Sequence, residues 1–138
     1  MVVTKSIKLR SKGETDIVDI TSQVGDYVQD STLKNGVVTL FVPGSTAGLT
    51  TIEYEPGLLQ DLKQGFEVIA PRKGEYQHNL RWQDGNGFSH VRAAILGPSL
   101  SIPFSNQRLH LGTWQQIVFI DFDNRARSRE IVVQIIGE

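Results

Sequence analysis

At 138 residues, with 39% hydrophobic and 21% charged side chains, the chain can bury one sizeable core and is most simply one globular domain over residues 1–138. Fourteen basic and 15 acidic residues leave a formal net charge of -1, which excludes a bulk field that would draw nucleic acid or an anionic membrane. The absence of cysteine removes disulfides, thiolate metal sites and cysteine nucleophiles together. No apolar run approaches the roughly 20 residues of a membrane span, and "MVVTKSIKLRSKGETDI" has no apolar signal core, so a cytoplasmic location is expected.

Residues 2 to 10 alternate, with Val3, Ile7 and Leu9 against Lys5, Lys8 and Arg10, and read as a first strand. "TDIVDIT" resumes the alternation after "SKGE" and predicts a hairpin with it. Thr21 is placed to cap a short helix in which Val24, Tyr27 and Val28 share a face. "KNGVVTLFVPG" is a turn followed by a dense β run, and "LTTIEY" is the next strand. Pro56 then suits a first helical turn, ahead of Leu58, Leu59, Leu62 and Phe66 at helical spacing. After a long loop, "SHVRAAILGPS" predicts a helix with Ser89 as N-cap and Gly97-Pro98 as its stop. "SLSIPF", "TWQQIVFIDFD" and "REIVVQIIG" close the chain as strands, the last two joined by the polar turn "NRARS". Strand groups separated by two to three short helices make an α+β domain, with a mixed sheet or a β-sandwich at its core.

The turn-rich segment "HNLRWQDGNGFSHV" has His78 and His90 near its two ends. Imidazole is the commonest metal ligand, and a loop folding back on itself could bring both rings to one ion, with Asp84 and Asn86 beside them. The plainer alternative is two histidines on a surface loop. In "VPGSTAGLTTIEYEPG", small residues after a strand let backbone N–H groups approach an anion, and Ser45 and Thr46 add hydroxyls. Alternation puts Thr51 and Glu53 on one face, where a carboxylate could serve as general base. A simple β-turn with a solvated Glu53 is the competing reading. His110 and the arginines 125, 127 and 129 have bland explanations too: a strand-edge histidine and a solvated charged turn.

Taken together, "GSTAGLTTIEYEPGLLQDL", "HN" at 78 and 79, "SHVRAAILGPSLSIP", "LGTWQQI" and the closing "REIVVQIIGE" resemble the YjbQ-like family, whose members are often labelled secondary thiamine-phosphate synthase enzymes. The resemblance spans nearly the whole chain. It implies an α+β fold with a sandwich core, a homotrimer or hexamer, and a metal site at His78 and His90. It also implies a catalytic role for Glu53, and substrate contacts from Ser45, Thr46, Asp84, Asn86, Arg92, Thr113, Trp114 and Gln115. Many relatives carry histidine where this chain has Gly44; if that histidine is a ligand in them, this chain must use another group (Glu53, His110, a water or a residue of a neighbouring subunit) or bind metal weakly.

The expected function is a metal-dependent enzyme acting on a small phosphorylated or anionic substrate. The alternative is a non-catalytic trimeric module that binds a small anionic metabolite or metal. A histidine pair suits Zn²⁺, whereas Mg²⁺ would be needed for thiamine-phosphate synthesis, in which pyrophosphate leaves. The candidate residues come from three separated segments, so the site is expected at a subunit boundary.

Overall fold

Alternation places the first strand, but not its partner. In the computed structural model, which describes residues 1–138, β1 (Val2–Ser11) turns Ile7 inward, with Val3 and Leu9 packed beside it. It pairs with β8 (Arg127–Gly137), Ile7 opposite Ile131, and β8 pairs on its other side with β3 (Gly36–Phe41). β5 (Ser99–Ser105) and β6 (Arg108–Leu109) complete an antiparallel sheet in the order β1-β8-β3-β5-β6. β2 (Asp16–Asp19) leaves for a second antiparallel sheet, where β7 (Gln116–Asp121) lies between it and β4 (Ala47–Ile52).

The expected hairpin of the first two strands is therefore a crossover between sheets. Gly13, Glu14 and Thr15 take φ of 72°, 54° and 64°, and this left-handed run swings the chain from one layer to the other. A Cβ on Gly13 would lie 2.4 Å from the Arg125 carbonyl oxygen, so the crossing tolerates only glycine there.

Burial sets the layering. Ile117 and Phe119 join Val38, Leu40, Ile131, Val133 and Ile135 between the two sheets. Val118, Ile120 and Phe122 point the other way, towards Phe66 and Ala93 on helices α2 (Pro56–Ile69) and α4 (Gly87–Leu96). The expected α+β domain thus forms around a sandwich of two antiparallel sheets, with helices over the smaller one. Helix α1 (Thr21–Asp30) adds fully buried Val24 and Val28 to the inter-sheet core.

Four helices form, not two to three, because α3 (Gln77–Trp82) occupies the expected loop. None is long and apolar enough to cross a membrane. Three capping details differ or sharpen. Thr21 is the first residue of α1 and not its cap: its hydroxyl donates to Asp19 at 2.6 Å and accepts from the Ile117 N–H at 2.8 Å, pinning α1 to β7. Glu55 caps α2, accepting from the N–H groups of Gly57 and Leu58, with Pro56 in the first turn as expected. Asn86, not Ser89, precedes α4, and the Ser89 hydroxyl bonds back to it.

The arginine-rich turn is only partly solvated. Arg125 is exposed, but Arg127 and Arg129 continue the inward alternation of Ile131, Val133 and Ile135. Arg129 meets Asp121, which is fully buried, through Nε at 2.7 Å and Nη2 at 2.9 Å. That bidentate bond raises the guanidinium pKa further, against the opposing effect of its own burial. Removing one partner of a buried pair strands the other, so Asp121→Ala should cost about 3–5 kcal/mol in urea unfolding. Adding Arg129→Met to that variant should recover most of the loss. If the double variant is as unstable as the single one, the pair does not carry this energy.

Candidate functional site

The histidines stand in the first turns of α3 and α4, and the connection between these helices brings them face to face. Gln83 ends α3 in the left-handed region at φ 54°, and Gly85 follows at φ 64°. Asn79 Oδ1 then accepts the Gly87 N–H at 2.8 Å, and Asp84 Oδ1 accepts the Asn86 N–H at 3.1 Å. A Cβ on Gly87 would fall 2.6 Å from the Tyr76 Cβ, so only glycine lets α4 start this close to the residue before α3. The outcome is a His78–His90 ring separation of 4.4 Å between centroids, with the planes tilted by 38°.

His90 lines a 200 Å³ cavity together with Gly44, Ser45, Ala47, Ala93, Ala94 and Pro98. Small side chains leave room there for a small group and little else. His90 is held below the ordinary imidazole pKa, first by burial and then by repulsion from His78; Asp84 and Asp123 oppose this in part. His78 Nδ1 is buried without a hydrogen bond, and the Asp84 carboxylate lies 3.5 Å away.

Asp123 organises the ground behind the pair. Its side chain is 1% exposed. Thr46 Oγ1 donates to it at 3.0 Å and Asn86 Nδ2 reaches it at 3.4 Å. Burial pushes its carboxyl pKa up, but the hydrogen bonds from Thr46 and Asn86 and the charge of Arg127 together hold it below the usual range. Buried side-chain polar atoms are nearly always hydrogen-bonded. The atoms left without a hydrogen bond are His78 Nδ1, Asp123 Oδ1 and Arg127 Nε, although Arg127 Nε is ion-paired to Asp123 at 3.2 Å.

The candidates named from sequence separate into distinct places. Ser45, Thr46, Asp84 and Asn86 gather around the histidines. The polar atoms of Thr46 and Asn86 are largely spent on the scaffold: Thr46 also accepts from Arg129 at 2.6 Å, and Asn86 Oδ1 holds Ser89 and the Asn124 N–H. Arg92 is buried and bound to the Ala70 carbonyl, Thr15 and Glu67, so its guanidinium is a structural clamp. Glu53, Thr113, Trp114 and Gln115 lie at the opposite end of β4 and β7. A six-residue strand such as β4 puts about 17 Å between its two ends. β4 also stops at Ile52, leaving Glu53 outside it, while the Thr51 hydroxyl accepts from Gln115. His110 hydrogen-bonds Ser105 at the β5–β6 hairpin and does not join the pair.

Sequence reasoning passed over Asp121 and Asp123 as the tail of an apolar strand. Two carboxylates at alternate positions ending a fully buried run were the available signal, because such charges need partners. The donor set fits a metal in part. Two imidazoles, one with a carboxylate 3.5 Å from its Nδ1, resemble the usual arrangement around zinc but lack its ring N–H to carboxylate hydrogen bond. A catalytic zinc takes three protein ligands, and no cluster of three or more His, Asp or Glu able to hold a metal ion forms in one chain.

The sequence profile of the family described as "UPF0047 protein YjbQ-like" matches residues 5–138. A UPF0047 protein of Methanothermobacter thermautotrophicus is 36% identical over 137 residues, covering 99% of this chain and 94% of that one. The UPF0047 protein YugU of Bacillus subtilis is 30% identical over 135 residues, covering 96% and 98%. Among solved structures, a YbjQ-like protein of unknown function from Sulfolobus solfataricus P2 superposes with a TM-score of 0.94 at 33% identity, covering 100% and 99% of the two chains. A hypothetical protein from Aeropyrum pernix K1 gives 0.91 at 31% identity, covering 99% of each.

The lowered pKa of His90 has a consequence for stability. The folded state binds this proton less readily than the unfolded chain, so stability is full above the ordinary imidazole pKa of roughly 6.5 and declines as pH falls through the lower folded value. Unfolding free energies measured between neutral and mildly acidic pH should show this decline. The slope should be shallower in His90→Gln. An identical slope in that variant would show that His90 does not titrate in this manner.

Proposed function

The chain belongs to the UPF0047 YjbQ-like family, and from that footing we propose that it is a small enzyme whose reaction centre is the His78–His90 pair. The observation that carries this reading is the 4.4 Å ring separation, with one imidazole of lowered pKa lining a small cavity. A neutral imidazole can ligate a metal or take a proton, and its partner can share either task.

The nearby charges favour a cation. Asp84, Asp121 and Asp123 stand against Arg127 and Arg129, and the lowered pKa of His90 disfavours a positive charge there. A divalent metal, zinc by the chemistry of its ligands, would be held by His78 and His90, with Asp84 orienting the His78 ring from behind. When bound it would supply Lewis acidity and reverse the local field, making the cavity receptive to an anionic or phosphorylated group. The chain's own contributions are the backbone of Gly44 and Ser45 along one wall and Asp123 as a fixed counter-charge. The small cavity suits a small anion. Thiamine-phosphate synthesis, with magnesium, would be a side activity that needs more room than one chain supplies.

A third ligand would then come from an adjoining copy, in a homotrimer or a pair of trimers. The outer face of the larger sheet supports self-association. Val2, Ile136, Val37 and Pro103 form one row across it, and Thr4, Gln134, Thr39 and Ser101 the next. Neither row carries a charge that would repel its own copy. A cytoplasmic location belongs to the same reading.

Untagged protein should contain close to one zinc per histidine pair by elemental analysis, and His78→Ala or His90→Ala should remove it with little loss of stability. Light scattering should return about three times the 15.4 kDa chain mass, or six times if trimers pair. Metal content unchanged in the double alanine variant would place the centre elsewhere. A stable monomer at micromolar concentration would remove the source of the third ligand. Metal-dependent turnover of small phosphate esters identifies the enzyme; uptake of the anion without turnover identifies a binding module instead.

A further inference from the structure

The far end of β4 and β7 carries an open cleft of 430 Å³, lined by Asp19, Glu53, Tyr54, Glu55, Thr113 and Trp114 together with Pro56 and Gln116. Its composition differs from that of the histidine site in two respects. It holds two aromatic rings and three carboxylates, and no lysine, arginine or histidine lines it.

Trp114 is 75% exposed, although the indole is the largest apolar side chain the protein could have buried. Slackness of the turn does not explain this. Gln115 grips the turn from inside, its Oε1 accepting the Gly112 N–H at 3.0 Å and its Nε2 donating to Thr51 Oγ1 at 3.0 Å. Gln116 ties the turn to the opposite wall, accepting the Tyr54 N–H at 2.8 Å and donating to the Thr113 carbonyl at 3.3 Å. Tyr54 is fixed as well, its hydroxyl donating to the Ile17 carbonyl at 3.1 Å while 41% of the residue stays exposed. Trp114 therefore stands exposed on a turn that is itself tied down, beside a half-exposed Tyr54 fixed by its hydroxyl.

The carboxylates differ in how far they are committed. Asp19 receives Thr21, and Glu55 receives two helix N–H groups, so both carboxylates are already engaged. Glu53 is exposed and accepts no hydrogen bond, which leaves its charge free for a ligand. A metal ion would use the carboxylates and gain nothing from the rings. An anion would be repelled. An organic cation uses both, because the face of an aromatic ring attracts an ammonium or guanidinium group and the carboxylate neutralises it. We propose that this cleft binds an organic cation, a substituted ammonium or guanidinium group, against Trp114 and Tyr54 with Glu53 as counter-ion. The site is independent of the histidine pair and stands or falls without it.

The test is calorimetric titration of the full-length protein with tetramethylammonium, choline and guanidinium chlorides in turn, at constant ionic strength, with sodium chloride as the reference. At least one of the organic cations should give saturable heat that sodium does not. Trp114→Ala and Glu53→Gln should each weaken binding by about tenfold or more, while His90→Ala should leave it unchanged. Both first substitutions are at exposed side chains, and circular dichroism should show wild-type folding. A preference for guanidinium would point to an arginine-type ligand, and a preference for tetramethylammonium or choline to a quaternary amine. Heats no greater than those of sodium, or affinity that survives both substitutions, would overturn the proposal.

Discussion

Strand β7 is apolar on both faces, with Ile117 and Phe119 turned to the larger sheet and Val118, Ile120 and Phe122 turned to α2 and α4. A strand of that kind cannot lie at a surface, so it can exist only as a middle layer with a sheet on one side and helices on the other. Its neighbours follow from this. β2 and β4 flank it to satisfy its backbone, and Thr21 donates no cap but a hydroxyl acceptor that anchors α1 to the Ile117 N–H. The chain then leaves the layer through Asp121 and Asp123, carrying two carboxylates into the interior. Such charges persist only with partners, and Arg129 and Arg127 on β8 supply them. One buried strand thereby connects the core to the polar cluster behind the histidines.

That cluster explains why the histidine site can be small and still well defined. Thr46 at the start of β4, Asn86 before α4 and Arg127 at the start of β8 all meet Asp123, so three separate elements are referenced to one carboxylate. The α3–α4 turn cannot drift without disturbing Asn86, and that turn sets how the two helices bearing the histidines meet. Burial and repulsion from His78 lower the His90 pKa and favour its neutral form, the state in which an imidazole is a ligand or a base. The opposite end of the same strands presents exposed aromatics and a free carboxylate. The two ends of β4 and β7 are thus chemically unlike, one a cluster of imidazoles and carboxylates, the other an open cleft of aromatic rings and exposed carboxylates.

Much of the fold was legible because period-2 and period-3.6 patterns are local. Ile7, Val38, Leu40, Ile131, Val133 and Ile135 fall on the inward face that alternation assigns them, and Pro56 opens α2 where its fixed φ and missing N–H suit it. α3 was not legible, since the six residues "QHNLRW" are too short to show a helical period, and turn-prone neighbours surround them. The supposed first hairpin failed for a different reason. A turn signal such as "SKGE" says that the chain bends, but not whether the next strand pairs with the last one or with β7.

The sequence by itself determined the class of domain, every strand but the two-residue β6, three of the four helices and the two histidines worth watching, because residue type and short-range spacing carry those properties. Only the tertiary structure decided which strands pair, that the histidine rings meet, and that Glu53 and Trp114 lie a strand's length from them. It also decided that Arg92 belongs to the scaffold and that Asp121 and Asp123 are interior charges with arginine partners. The physical reason is that these depend on contacts set by the folded backbone, some close in sequence, as with Asp121 and Arg129, and others far apart. Arg92 meets Thr15 across 77 residues and Thr46 meets Asp123 across 77, separations at which no local pattern records the partner.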